Sequence, residues 1–175
     1  MSGMFRELRA DEIECRVSRI VETKQGPAVT LLLYKDARTD ANILDETVGQ
    51  EDWQVKFYEC KLNLFCSVGI KIGDEWIWKD DCGAESNMEK QKGEASDAFK
   101  RACFKWGIGR ELYTAPTIWI DGKDCETLKK DDYGKWKCYD RFKVRLITYE
   151  DGNIKDLAIE NSKTHNVVFS KGTFK

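Results

Sequence analysis

Leu62-Asn63-Leu64-Phe65-Cys66-Ser67-Val68-Gly69-Ile70-Lys71-Ile72 is the stretch that decides the fold. Leu62, Leu64, Cys66, Val68, Ile70 and Ile72 alternate with Asn63, Phe65, Ser67, Gly69 and Lys71, the period-two pattern of a strand. Upstream, Trp53–Asn63 is rich in aromatic and β-branched residues. Downstream, Gly73-Asp74 supplies a turn and Glu75–Lys79 returns. Together these segments predict an antiparallel meander.

The next long segment has a different period. Ala95, Ala98, Phe99, Ala102, Cys103 and Trp106 form one apolar stripe at helical spacing, within a helix predicted over residues 86–106. Ser86 with Glu89 fits a capping box, and Gly107 ends the helix. The stripe needs an apolar surface, and the meander offers one. The fold class is therefore α+β: an antiparallel β-meander with one long helix packed across it.

Working outward, Glu12–Thr23 and Ala28–Tyr34 read as a hairpin broken by Gln25-Gly26-Pro27. A short helix is expected over Met4–Leu8. A second is expected from a Thr39 or Asp40 cap through Thr47, with Gly49 as its stop. Tyr113–Ile120 is expected to be extended, and residues 121–138 to form a polar loop. Arg141–Glu150, Gly152–Glu160 and Asn166–Ser170 are three further short strands. The 175 residues suit one domain, with its core over about 12–120 and residues 121–175 as loop plus short C-terminal strands.

Composition limits the function. Hydrophobic residues at 41% and charged residues at 34% describe a globular chain. No apolar run approaches the roughly 20 residues that span a bilayer. Met1–Asp11 holds no apolar core of signal-peptide length, so no membrane association and a cytosolic location are expected. The seven cysteines have irregular spacing and no CxxC pair, and His165 is the single histidine. This argues against a zinc site and for reduced cysteines in or near the core, with Cys66 and Cys103 on apolar faces. The net charge is −2, which by itself speaks against nucleic acid. The distribution speaks for it. Residues 74–87 carry five acids against one base, and residues 88–110 carry six bases against three acids. Charge segregated in this way can line a basic groove.

On the helical wheel Lys100 and Arg101 flank the outer face, and Phe104 lies between them, nearly opposite the buried stripe. Cations can neutralise phosphates, and a ring can stack on a base for roughly 1–3 kcal/mol. A solvated face, with Phe104 covered by a loop or a subunit, explains the same pattern. Lys105 and Arg110 extend the basic segment.

Three motifs occur in one consistent order. They are Asp40–Gly49 followed by Trp53; Trp76-Ile77-Trp78-Lys79-Asp80-Asp81-Cys82-Gly83; and Glu85-Ser86-Asn87, then Lys92–Ala102, continuing to Trp106-Gly107-Ile108-Gly109-Arg110-Glu111-Leu112-Tyr113. Over roughly residues 12–120 the chain resembles the Sak-type single-strand annealing proteins of phages and prophages. These are related to the eukaryotic Rad-fifty-two double-strand-break repair family. The resemblance implies a homo-oligomeric ring in which single-stranded DNA runs along a positively charged groove. It implies that Lys100 and Arg101 contact the DNA backbone, and it carries a further basic role to Arg38, beside the matching position Thr39. Phe104 stands where the eukaryotic pattern has a base, with Lys105 next to it, so stacking can replace an ion pair.

The expected function is binding of single-stranded DNA and ATP-independent annealing of complementary strands in phage or prophage recombination and repair. The expected DNA-binding residues are Lys100, Arg101, Arg38, Phe104, Lys105 and Arg110. A phage exonuclease and a single-strand-binding protein are the expected partners. No cofactor, metal site or catalytic residue is expected, because no phosphate-binding GxxxxGK[ST] loop and no clustered ligand pairs occur. The enzymatic alternative is a metal-dependent nuclease using Asp80, Asp81 and Glu85.

Overall fold

A computed structural model describes residues 3–84 and 90–173, with side chains of the long helix from residue 93 onward. Contacts gather into two compact units. The first comprises Met1–Glu7 and Asp36–Arg110, the second Leu8–Lys35 and Glu111–Lys175.

The first unit holds the predicted meander: β3 (Trp53–Cys60), β4 (Asn63–Ile72) and β5 (Glu75–Cys82), preceded in the chain by β1 (Glu14–Thr23) and β2 (Gly26–Tyr34) of the second unit. β4 pairs antiparallel with both neighbours, and Cys66 to Ile70 are all buried. The alternation begins one residue later than the sequence suggests. Cys60 pairs with Asn63, so Lys61 and Leu62 form a two-residue turn with φ of 51° and 61°, and Leu62 is solvent-exposed. β5 runs on to Cys82, three residues beyond the expected Lys79.

The long helix is α2 (Lys90–Trp106), which packs on β4, β5 and α1 (Ala37–Val48). The proposed Ser86–Glu89 capping box lies outside the described residues. Ala98, Phe99, Ala102 and Cys103 are buried, as the stripe predicts, together with Cys66, Val68, Ile70, Ile43 and Leu44. Each fully buried aliphatic side chain of this set stabilises the unit by about 1.5–3 kcal/mol. Trp53 lies 6.1 Å from Phe99 between ring centroids, and Trp106 Nε1 donates to the Val68 carbonyl at 2.9 Å. Gly83 is required where β5 ends against the helix, because a Cβ there would lie 2.2 Å from the Glu94 carbonyl oxygen. Gly107, at φ 110°, then stops α2.

Two expectations change here. Residues 4–8 form no helix; among the described residues the helical turn that follows them is a 3₁₀ turn at Ala10–Glu12 in the second unit. α1 is capped by Asp36, whose carboxylate accepts from the Arg38 amide at 2.7 Å, and not by Thr39 or Asp40, which are buried in its first turn.

The second unit is a six-stranded antiparallel sheet in the order β11-β10-β9-β1-β2-β6. β1 (Glu14–Thr23) and β2 (Gly26–Tyr34) form the predicted hairpin, and β6 (Ile118–Asp121) follows a 3₁₀ turn at Arg110–Thr114. A small hairpin of β7 (Lys129–Lys130) and β8 (Trp136–Lys137) interrupts the expected loop. β9 (Phe142–Glu150) and β10 (Asn153–Asn161) have nine residues each and β11 (Val167–Lys171) has five. The C-terminal strands are thus full members of the larger sheet. They bury Phe142, Val144, Ile154, Leu157 and Ile159.

Candidate nucleic-acid interface

The outer surface of α2 separates its cations as the wheel predicts. Arg101 turns toward β5, where its Nε lies 3.4 Å from Asp81 Oδ1. Lys105, one turn on, reaches the other oxygen of the same carboxylate at 3.6 Å. Both cationic side chains are half exposed, whereas Asp81 is largely covered. Lys100 is half-buried and lies within electrostatic reach of Asp36. Arg38, at the start of α1, is 89% exposed and holds Asp36 at 3.0 Å. The Arg38 guanidinium and amide hold the Asp36 carboxyl below its usual range, and the charge of Lys100 adds to this. Arg38 and Lys100, on different helices, thus both act on Asp36.

Phe104 differs from the expectation of a bare ring. It is half-buried, and the Arg110 guanidinium lies 5.4 Å from its ring centroid. Arg110 also donates to the carbonyls of Phe104 (2.8 Å) and Lys105 (2.7 Å), and Lys79 Nζ donates to Lys105 at 3.1 Å. These cations satisfy carbonyls at the helix C-terminus, where the helix dipole favours positive charge. Arg110 therefore has a structural task, and only its remaining donors can serve a ligand.

The strand geometry separates two of the carboxylates named in the nuclease alternative. Asp80 and Asp81 are consecutive in β5 and so point to opposite faces. Asp80 accepts from Tyr58 at 2.9 Å and from Ser67 on the face away from α2, while Asp81 meets Arg101 and Lys105 on the helix side. The two carboxylates cannot share one magnesium ion. Glu85 lies outside the described residues.

Trp76 and Trp78 do not meet Trp106, although Trp106 lies on the buried stripe of the helix. They lie on the sheet face away from α2, 6.2 Å apart. Lys56 sits 4.0 Å over Trp78, and Tyr58 stacks on Phe65 at 5.4 Å. In the second unit, Arg141 just before β9 and Lys143 and Arg145 within it alternate with buried Phe142 and Val144, leaving three exposed cations in a row. Buried Glu160 pairs with Lys143 at 3.0 Å and Arg145 at 3.6 Å. Sequence reasoning passes over this row, although its signal is the plain alternation Arg-Phe-Lys-Val-Arg.

These features define a chain with extended charged and aromatic surfaces. Among the described residues, the carboxylates assigned to metal chemistry do not converge. Residues 11–130 match the family model described as Rad52/22 family double-strand break repair protein. The chain belongs to this family. Two relatives carry the name single-stranded DNA-binding protein DdrA. The one from Deinococcus radiodurans is 33% identical over 96 residues, covering 54% of this chain and 46% of the relative. The one from Deinococcus deserti is 29% identical over 108 residues, covering 61% and 53%. The chain thus spans about half the length of these curated relatives. No solved structure matches it.

Proposed function

We propose that this chain binds single-stranded DNA and anneals complementary strands without ATP or magnesium, as one subunit of a closed homo-oligomeric ring in phage or prophage recombination. Lys100, Arg101 and Arg38 neutralise the backbone, Lys105 assists, Phe104 contacts bases, and Arg110 holds Phe104 and the helix end in place. The observation that carries the reading is the set of cations on α2, with Arg38 and Lys100 both acting on Asp36 at the start of α1, in a chain of this family. Two relatives named for single-stranded DNA binding support the choice of ligand.

Annealing must overcome the repulsion between two strands and the masking of bases by intrastrand pairing. A groove that neutralises phosphates while leaving base edges outward lowers both barriers. A ring repeats a weak site many times, and multivalency then raises affinity without a basic overall charge. A nuclease and a single-strand-binding protein are the partners such a product needs.

The test is a gel shift with a single-stranded oligonucleotide at low salt, with light scattering on the same sample. The proposal expects a complex and a particle many times the 20.3 kDa subunit. A lone subunit with and without DNA, or no complex at low salt, would refute it.

A further inference from the structure

Among the described residues, one group of metal-capable side chains converges, and it is far in sequence from the DNA-binding candidates. The ligand atoms of Cys125, Cys138 and Asp140 all lie within 4.8 Å of one another. Cys138 Sγ is 3.4 Å from Asp140 Oδ2, and Cys125 Sγ is 3.8 Å from the Asp121 carbonyl oxygen. All three residues are half-buried, so an ion can reach them.

We propose that Cys125, Cys138 and Asp140 bind one zinc ion, which pins the base of the β7–β8 hairpin. The spacing suits a tetrahedral ion. Zinc–sulfur bonds of about 2.3 Å and zinc–oxygen bonds of about 2.1 Å set the sulfur–oxygen edge near 3.6 Å. The Cys138–Asp140 edge is already at that length, and Cys125 needs to move inward by less than about 1 Å. Two thiolates select a soft ion over magnesium or calcium.

The carboxylate is held in place by four hydrogen bonds that use its four lone-pair directions, so zinc on Oδ2 must displace the Thr127 hydroxyl. Asp140 Oδ1 accepts from the Glu126 amide at 2.9 Å and from Asn161 at 2.8 Å. Oδ2 accepts from the Thr127 amide at 2.9 Å and the Thr127 hydroxyl at 2.6 Å. Such outer partners fix a ligand's orientation. Zinc displaces one proton from each sulfur, leaving a complex of two thiolates, one carboxylate and the dication with net charge −1. Water fills the fourth position. Binding therefore releases two protons and strengthens as pH rises.

The hairpin also has need of a clamp. β7 and β8 share two cross-strand pairs, Lys129–Lys137 and Lys130–Trp136, and a ladder so short is marginal alone. Cys125 precedes it and Cys138 follows it directly.

The test uses the full chain, purified under reductant and without chelator. Metal analysis should find one zinc per chain. Replacement by cobalt should give a thiolate-to-metal charge-transfer band, and chelation should expose two further thiols to a thiol reagent. Cys125→Ser and Cys138→Ser should each abolish stoichiometric binding, while Cys60→Ser, at an exposed site elsewhere, should keep it. Zinc should raise the melting temperature of chelator-treated wild type but not of Cys138→Ser. The proposal is overturned if the reduced wild type binds no zinc at micromolar free ion. It is equally overturned if the Cys125→Ser/Cys138→Ser double variant binds as wild type. Recovery of the pair as a disulfide, with no zinc retained after reduction, would assign the cysteines to redox chemistry and also overturn it.

Discussion

Arg101→Ala removes a half-exposed guanidinium that lies 3.4 Å from Asp81, and so it changes two charges that matter to a passing phosphate. The ion pair itself is worth little to the fold. Exposed pairs contribute about 0–1 kcal/mol, and Lys105 remains beside Asp81 at 3.6 Å. Stability should fall by less than about 1 kcal/mol. DNA binding should respond more. Each phosphate contact on a single strand contributes about 0.7 to the slope of log affinity against log salt. A fourfold rise in salt therefore costs a complex about 0.4 log unit, roughly 2.6-fold, for each contact. Arg101→Ala and Lys100→Ala should each lower the slope by about 0.7, and the double variant by about 1.4. Arg101→Ala should lose more affinity than Lys100→Ala at a given salt, because it also leaves Asp81 less neutralised. Asp81→Asn should do the reverse, releasing Arg101 and Lys105 and tightening the complex. The assay is fluorescence anisotropy of a labelled oligonucleotide titrated at several salt concentrations, with urea unfolding of each variant. Unchanged slopes in Lys100→Ala and Arg101→Ala would place the strand elsewhere. Weaker binding by Asp81→Asn would refute the idea that Asp81 competes with phosphate.

Phe104→Ala should weaken strand binding at unchanged particle size and cost about 1–3 kcal/mol by urea unfolding. That is less than for a fully buried phenylalanine, since Phe104 is half-buried and loses its Arg110 contact. Loss of the oligomer instead would assign Phe104 to a subunit contact. Asp36→Ala should destabilise the chain by about 1 kcal/mol through loss of the α1 cap. Because the folded-state pKa of Asp36 is depressed, that contribution is present above the unfolded value near 4. It is lost as pH falls through the folded value, so wild type and variant should converge in acid unfolding curves. Gly83→Ala should cost about 1–3 kcal/mol or more by thermal unfolding, because the new Cβ meets the Glu94 carbonyl at 2.2 Å.

Where local periodicity decides the outcome, the fold is legible in the sequence. The alternation through Cys66, Val68 and Ile70 and the stripe through Ala98, Ala102 and Cys103 specify a meander and a helix with matching apolar faces, and these pack together. Turn chemistry is less decisive. Leu62 continues the alternation but occupies a left-handed turn position, because the Cys60–Asn63 pairing leaves two residues to reverse the chain. Thr39 and Asp40 are good capping residues by type, yet Asp36 takes the cap because the helix begins at Ala37.

Pairings set by tertiary register are not legible at all. That Asp81 bridges Arg101 and Lys105 depends on how α2 lies along β5. That Trp76 and Trp78 face away from Trp106 depends on which side of the sheet the helix covers. Cys125 and Cys138 carry no spacing signal, since the hairpin between them is what brings them together. For the candidate interface, wheel geometry puts Lys100 and Arg101 on different flanks of the helix. It does not show Arg110 lying over Phe104, because Arg110 follows the Gly107 and Gly109 turns and lies off the helix.

The central claim is that the cations of α2 hold single strands in a form that pairs. The most direct measurement follows annealing of two complementary labelled oligonucleotides by energy transfer, with no ATP or magnesium, for wild type and the Lys100→Ala/Arg101→Ala double variant. The account predicts that wild type accelerates duplex formation well beyond the spontaneous rate. It predicts that the double variant, equally stable to urea, loses most of this acceleration. Acceleration that requires ATP hydrolysis, or a folded double variant that anneals as fast as wild type, would contradict it.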